Sequence, residues 1–283
     1  MYEGKQVDAI VDVWCEAPVQ RLWKEFADSA LTEEDRRVKW GGLEYWFVMG
    51  MHPHNAKEYT DDIEREILEA MTHTRCIGWG EMGLDYHYDN SPREIQRDMF
   101  ACELRHAVQL GKPLTIHTRE ADNDTERILK EIVPQPDPHP LFHRHPRIRT
   151  SPLPFSQPLH WYNRYLPSLP SFPPPLPPSG VITFTTNLNT AQVVRQMFPS
   201  NPSDLRILLE TDAPYMVPAN IYASLSLLSG NRLPFSHSAM IPWTADFVSG
   251  VLKEKEKEGE TDCWDSKKVL EVGRENARKV YGG

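Results

Sequence analysis

Strand-like runs that end in a chemistry-bearing residue and give way to a helical run recur along this chain. "EYWFVMGM" (Glu44–Met51) runs into "HPH", which holds His52 and His54. "RCIGWGEMGLD" carries Glu81 and Asp85, "PLTIHT" carries His117 and leads to Arg119, and "LRILLETD" carries Glu210 and Asp212. "QVDAIVDVWC" (Gln6–Cys15) and "GVITF" also read as strands. Helical periodicity lies between them. In "TDDIEREILEAM" the apolar residues Ile63, Ile67, Leu68 and Met71 share one face, and "VQRLWKEFADSA" and "TERILKEIV" follow the same period. A helix is expected over Ser91–Leu110, with Ser91 as N-cap, Pro92 in the first turn and Glu94 closing a capping box; Gly111 and Pro113 stop it. Alternating strands and helices specify a parallel sheet. A chain of 283 residues fits one α/β barrel, a fold of about 250 residues. The expected fold class is therefore α/β, a TIM-like (β/α) barrel.

Composition narrows the function. The net charge of −9 has the wrong sign for holding nucleic acid by counterion release alone. A polyanionic substrate would need a metal ion or a local cluster of Arg and Lys. Four cysteines, Cys15, Cys76, Cys102 and Cys263, are scattered without metal-type or redox-type spacing, which reads as reduced and intracellular. "MYEGKQVDA" has no charged-then-apolar signal pattern, and no apolar run approaches ~18 residues. A cytoplasmic or nuclear protein with no membrane segment is expected. "KEKEKEGE" (Lys253–Glu260) reads as a solvated helix end.

In a parallel barrel the C-terminal strand ends form one face, where active sites sit. One polar residue there reads as a strand cap; four strand ends bearing His, Asp or Glu read as a site. Histidines and carboxylates without paired cysteines suit a divalent ion of mixed N/O type, Zn, Mn or Mg. Such an ion lowers the pKa of bound water from ~15.7 toward ~7, so hydrolysis is the natural reaction. Phosphate-cradling, nucleophile-elbow and dinucleotide motifs do not occur.

"GMHPH", "GWGEMGLDYHY", "LGKPLTIHTREA", "LLETDAPYMVP" and "ENARKVYG" together resemble the TatD-related metal-dependent hydrolases, most of all a fungal branch. The resemblance covers nearly the whole chain outside 134–179. It implies a metallo-dependent-hydrolase-type barrel with one or two divalent ions (Mg, Mn or Zn). It also implies a phosphodiester substrate such as DNA, since members are often deoxyribonucleases acting at DNA ends, here a 3′-end exonuclease. Carried over by position, Glu81 matches a metal-bridging carboxylate and His117 a metal-binding histidine. Asp212 matches a metal-bound aspartate that can accept the proton of the attacking water. His52, His54 and Arg119 match positions near the substrate, where a structural role is equally open. Two other readings stay open: an amidohydrolase-like enzyme on a small molecule, and an inactive barrel serving as a protein-interaction partner.

The family pattern is broken in two places. Many members carry an H-x-H on the first strand, and none precedes Gln6; "VDAIVDVWCEAP" looks like the second strand, so the first is expected to be lacking. A strand ending in an "HCFT"-type motif, whose His is a further ligand, and a following "IGITG" strand are due between Pro134 and Ser179. More than half of the 25 prolines lie there instead, and from Pro138 to Ser203 there is no Asp or Glu.

Translation one nucleotide later accounts for that segment. With synonymous codons chosen for Asp137–Arg149, the shifted frame reads "IHIHCFTDTPEFA". The same shift of Phe155–Arg164 reads "FPNLYIGITG", in which one glycine is forced by the Trp161 codon. "YLPSLPSFPPPLPPS" is what a polypyrimidine tract encodes, and removing it joins "GITG" to "VITF". The reading is a single TatD-like barrel over 1–283, interrupted at 134–179 by an out-of-frame exon (Asp137–Arg164) and a retained intron (Tyr165–Ser179). The literal chain is then expected to be weakly active or unstable. Competing readings are an inserted Pro-rich ligand for an SH3-like partner or a linker. His143 and His145 have no strand to aim them and are not counted as ligands.

Overall fold

The computed structural model describes residues 7–16, 22–133, 155–156, 183, 191, 194–195, 205, 207–225, 231–254 and 264–281. The chain divides into two compact units, Tyr2–Phe155 and Ser156–Gly283.

The first unit is built on β1 (Ala9–Trp14), β2 (Glu44–Met49), β3 (Cys76–Asp85) and β4 (Leu114–Arg119). They pair in parallel in chain order, with a two-residue β5 (Phe155–Ser156) after β4. The helices are α1 (Leu22–Asp28), α2 (Glu33–Lys39), α3 (Asp61–Met71), α4 (Arg93–Leu110) and α5 (Asp122–Ile132). All six residues of β4 are buried, as expected for a parallel strand covered on both faces. Trp23, Phe47, Ile67, Trp79, Phe100 and Leu104 belong to one core between sheet and helices.

Helix starts follow local chemistry. Thr60 caps α3 by accepting from the Ile63 N–H, and Asp61, Asp62 and Glu64 favour its positive end. Helix α4 ends at Gly111 in the left-handed region (φ 64°), where Lys112 N–H donates to Ala107 O. Its start differs from expectation. The cap position is Pro92, with no side-chain cap, and Ser91 is buried. The Ser91 hydroxyl donates to His54 O (2.8 Å) and accepts from Lys57 N–H (3.1 Å), so it ties down the turn after β2.

In the second unit, α6 (Ile221–Ser224), α7 (Ile241–Lys253) and α8 (Ser266–Tyr281) are described. Val248, Leu252, Trp264 and Val269 pack with Leu205 and Ile207. Asn276 donates to Leu205 O (2.8 Å) and Ile207 O (2.9 Å). The strand expected over Leu205–Asp212 is reduced, among the described residues, to a single bridge at Ile207. The Leu205 and Ile207 carbonyls both turn to Asn276. Of the proline-rich segment only Phe155 and Ser156 are described. The frame-shift reading, His143, His145 and most of "GVITF" lie outside the described residues.

Candidate metal centre

The site forms where β2, β3 and β4 end. Between Trp79 and Met82 the register of β3 against β4 shifts, and Glu81 lies in that irregular stretch. Gly83 has φ +144°, and a Cβ there would lie 1.9 Å from His117 O; only glycine allows this approach.

His117 stands between two carboxylates. Its Nδ1 lies 3.0 Å from Glu81 Oε1 and its Nε2 lies 3.1 Å from Asp85 Oδ2. His54 Nε2 meets the same Asp85 oxygen at 2.9 Å. His52 packs against His117 with ring centroids 4.6 Å apart. Donor atoms of His52, Glu81 and His117 all fall within 4.8 Å of one another, close enough to share an ion.

Electrostatics follow from burial and neighbours. Burial alone would lower the His117 pKa, but its hydrogen bonds to Asp85 and Glu81 win and push it up to about 9. Burial and then the nearby charge of His117 lower His52 to about 3, so His52 is neutral, as a ligand must be. Burial would raise Asp85; bonds from His117 and His54 reverse this and hold it well below the usual carboxylate range. With a carboxylate at each ring nitrogen, His117 sits where positive charge is favoured; an ion would take the place of its proton, and the two-nitrogen, one-oxygen donor set suits a divalent ion.

Helix α4 positions these groups with two polar residues on its buried face. Gln96 accepts from Asp85 N–H (2.8 Å) and donates to Asp85 O (3.0 Å) and Ser91 O (2.8 Å). Glu103 Oε1 accepts from Met51 N–H (2.9 Å) and Trp79 Nε1–H (3.0 Å), which fixes the residue before His52. Asp85 Oδ1 accepts from the N–H groups of His87 (2.9 Å) and Tyr88 (3.0 Å).

Of the six candidate residues from the sequence, Glu81, His117, His52 and His54 lie together. Arg119 is one step away, its guanidinium 4.3 Å from the ring centre of Tyr88, which in turn meets His54 edge-on. His52, expected on the substrate side, is here within reach of the ligand pair. Asp212 belongs to the second unit, where its carbonyl accepts from Tyr215 N–H (2.6 Å). Gln96, Glu103 and Tyr88 carried no sequence signal of a role. Asp85 did, as a strand-end residue, but was not ranked with the site.

A parallel sheet with His and Glu gathered at its strand ends defines a class, the metallo-dependent-hydrolase type of TIM-like barrel, present here in part. Within that class the chain belongs to the TatD related DNase family, whose profile matches residues 5–282. It is similar to the human "3′-5′ RNA nuclease TATDN2", 37% identical over 182 residues, 64% of this chain and 21% of that protein. It is 27% identical over 176 residues to the "3′-5′ ssDNA/RNA exonuclease TatD" of Erwinia tasmaniensis, 62% of this chain and 61% of that one. A "metal-dependent hydrolase TatD" of Mycobacterium tuberculosis is 28% identical over 267 residues, 88% of this chain and 78% of that one. The chain thus spans 21% of the human relative and 61% of the Erwinia one. In fold it resembles an amidohydrolase from Saccharomyces cerevisiae (TM-score 0.66, 16% identity, 97% of this chain and 88% of that one). A TatD family hydrolase from Entamoeba histolytica is similar too (TM-score 0.65, 12% identity, 97% and 84%). Among the described residues no helix is long and apolar enough to cross a membrane.

Proposed function

We propose that this chain is a divalent-metal-dependent phosphodiesterase, a 3′-end exonuclease on single-stranded DNA or RNA. The carrying observation is the His52, Glu81, His117 grouping at the strand ends of a TatD-family fold. These three residues would hold the ion; for Asp212 the role of a metal-bound aspartate rests on the family resemblance alone. When bound, the ion supplies a low-pKa water and polarises a phosphoryl oxygen for in-line attack. By the same resemblance, the Asp212 carboxylate would accept the proton of the attacking water. Asp85 keeps the rings of His117 and His54 in place.

The named activities of the human and Erwinia relatives support nucleic acid as substrate. So does Tyr88. It is 56% exposed, touches His54 and lies under the Arg119 guanidinium. An exposed aromatic ring paired with an arginine is a surface on which an unpaired base stacks. The net charge of −9 fits an enzyme that grips an end rather than a long duplex.

The test is digestion of 3′-labelled and 5′-labelled single strands with Mg or Mn, with a chelator and Asp212→Ala as controls. Stepwise loss from the 3′ end, abolished by both controls, is expected. Bound metal without cleavage would move the reading to a small-molecule hydrolase.

A further inference from the structure

Away from the strand ends, Glu64 of α3 and Cys102 and His106 of α4 form a second group of unlike donors. Cys102 and His106 are four residues apart, so they stand one turn above the other on one face of α4. Glu64 faces them from α3: its Oε2 lies 3.3 Å from Cys102 Sγ and its Oε1 lies 3.4 Å from His106 Nε2. All three donor atoms are within 4.8 Å of one another. In a tetrahedral zinc site, bonds of ~2.0–2.3 Å place neighbouring ligand atoms about 3.3–3.5 Å apart. The two separations here, made to the two oxygens of one carboxylate, lie close to that spacing.

The donors are also held still. Trp79 stacks on the His106 ring, centroids 5.8 Å apart and planes 7° from parallel, while its own Nε1–H is bound to Glu103. The Tyr59 hydroxyl donates to Glu64 Oε2 (3.2 Å) and orients the carboxylate. Glu64 and His106 side chains are each 29% exposed, which leaves a solvent side for a fourth, exchangeable ligand.

We propose that Glu64, Cys102 and His106 bind a borderline-soft divalent cation, zinc above all, at a second site that staples α3 to α4. The thiolate sets it apart from the N/O centre at the strand ends and favours zinc over Mg or Mn. Binding replaces the Cys102 thiol proton, which leaves to solvent, by the metal. Because that proton must leave, metal uptake weakens as pH falls.

Co(II) serves as the optical probe on the metal-free full chain, followed by zinc competition. A thiolate-to-cobalt charge-transfer band should grow to saturation as Co(II) is added and vanish on adding zinc. Cys102→Ser should abolish it, His106→Gln should weaken Co(II) binding at least ~10-fold, and Glu81→Gln should leave the band intact. Zinc should also raise the melting temperature of the wild type more than that of Cys102→Ser. Absence of the band in a folded wild type, or its persistence in Cys102→Ser, overturns the proposal.

Discussion

His117 Nε2 and Asp85 Oδ2 lie 3.1 Å apart with both side chains buried, and His54 Nε2 reaches the same oxygen at 2.9 Å. One carboxylate therefore sets two rings of the centre. Asp85→Asn keeps an oxygen for the His87 and Tyr88 N–H groups but cannot accept from both histidines with the same strength. Affinity for Mn should fall about 10–100-fold with the fold retained. Isothermal titration with Mn and a circular dichroism spectrum check both halves.

Glu103 gives a pH dependence. Burial pushes its pKa up to about 8, against the opposing bonds from Trp79 and Met51. The folded form thus holds a proton that the unfolded form releases near 4.5. The stability it contributes is complete below that pH and is lost as pH rises through about 8. Melting temperature should decline over that window, and Glu103→Gln, neutral throughout, should flatten the decline. An equally steep slope in the variant would refute the assignment.

Two glycines should respond unequally to alanine. At Gly111 (φ 64°) nothing lies within 4 Å of a Cβ, so the cost is the left-handed backbone alone, about 1–2 kcal/mol. At Gly83 the same strain is joined by a collision with His117 O, which β4 cannot relieve without moving the ligand. Urea midpoints should rank Gly83→Ala well below Gly111→Ala, and only the former should lose metal.

If bases stack on Tyr88, Tyr88→Ala should raise KM for a single-stranded oligonucleotide. Stacking of about 1–3 kcal/mol corresponds to roughly 5–150-fold. Tyr88→Phe should restore most of it. Steady-state kinetics on one labelled 12-mer would show this, and an unchanged KM for the alanine variant would remove Tyr88 from substrate binding.

Much of the first unit could be read from sequence because its signals are local. Gly111 ends α4 and β3 ends at Asp85, as their patterns placed them, while β2 stops at Met49, two residues short of the expected Met51. Glu81 and His117 were singled out by the family motif and the strand-end rule, and they lie side by side. What could not be read depends on long-range contacts. Ser91 has the right type and position for an N-cap, yet its hydroxyl is bound to the turn at His54 and Lys57. Gln96 and Glu103 interrupt an apolar stripe, and only the packed sheet shows that they hold Asp85 and Met51. Cys102 had no cysteine partner in sequence; its neighbours are a glutamate on another helix and a histidine one turn on.

The central claim is that His52, Glu81 and His117 share a divalent ion. Counting Mn bound per chain by equilibrium dialysis, in the wild type and in a His117→Gln, Glu81→Gln double variant, tests it most directly. The account predicts at least one tightly held Mn in the wild type and its loss in the folded double variant, together with nuclease activity. An unchanged Mn count in that variant would contradict it.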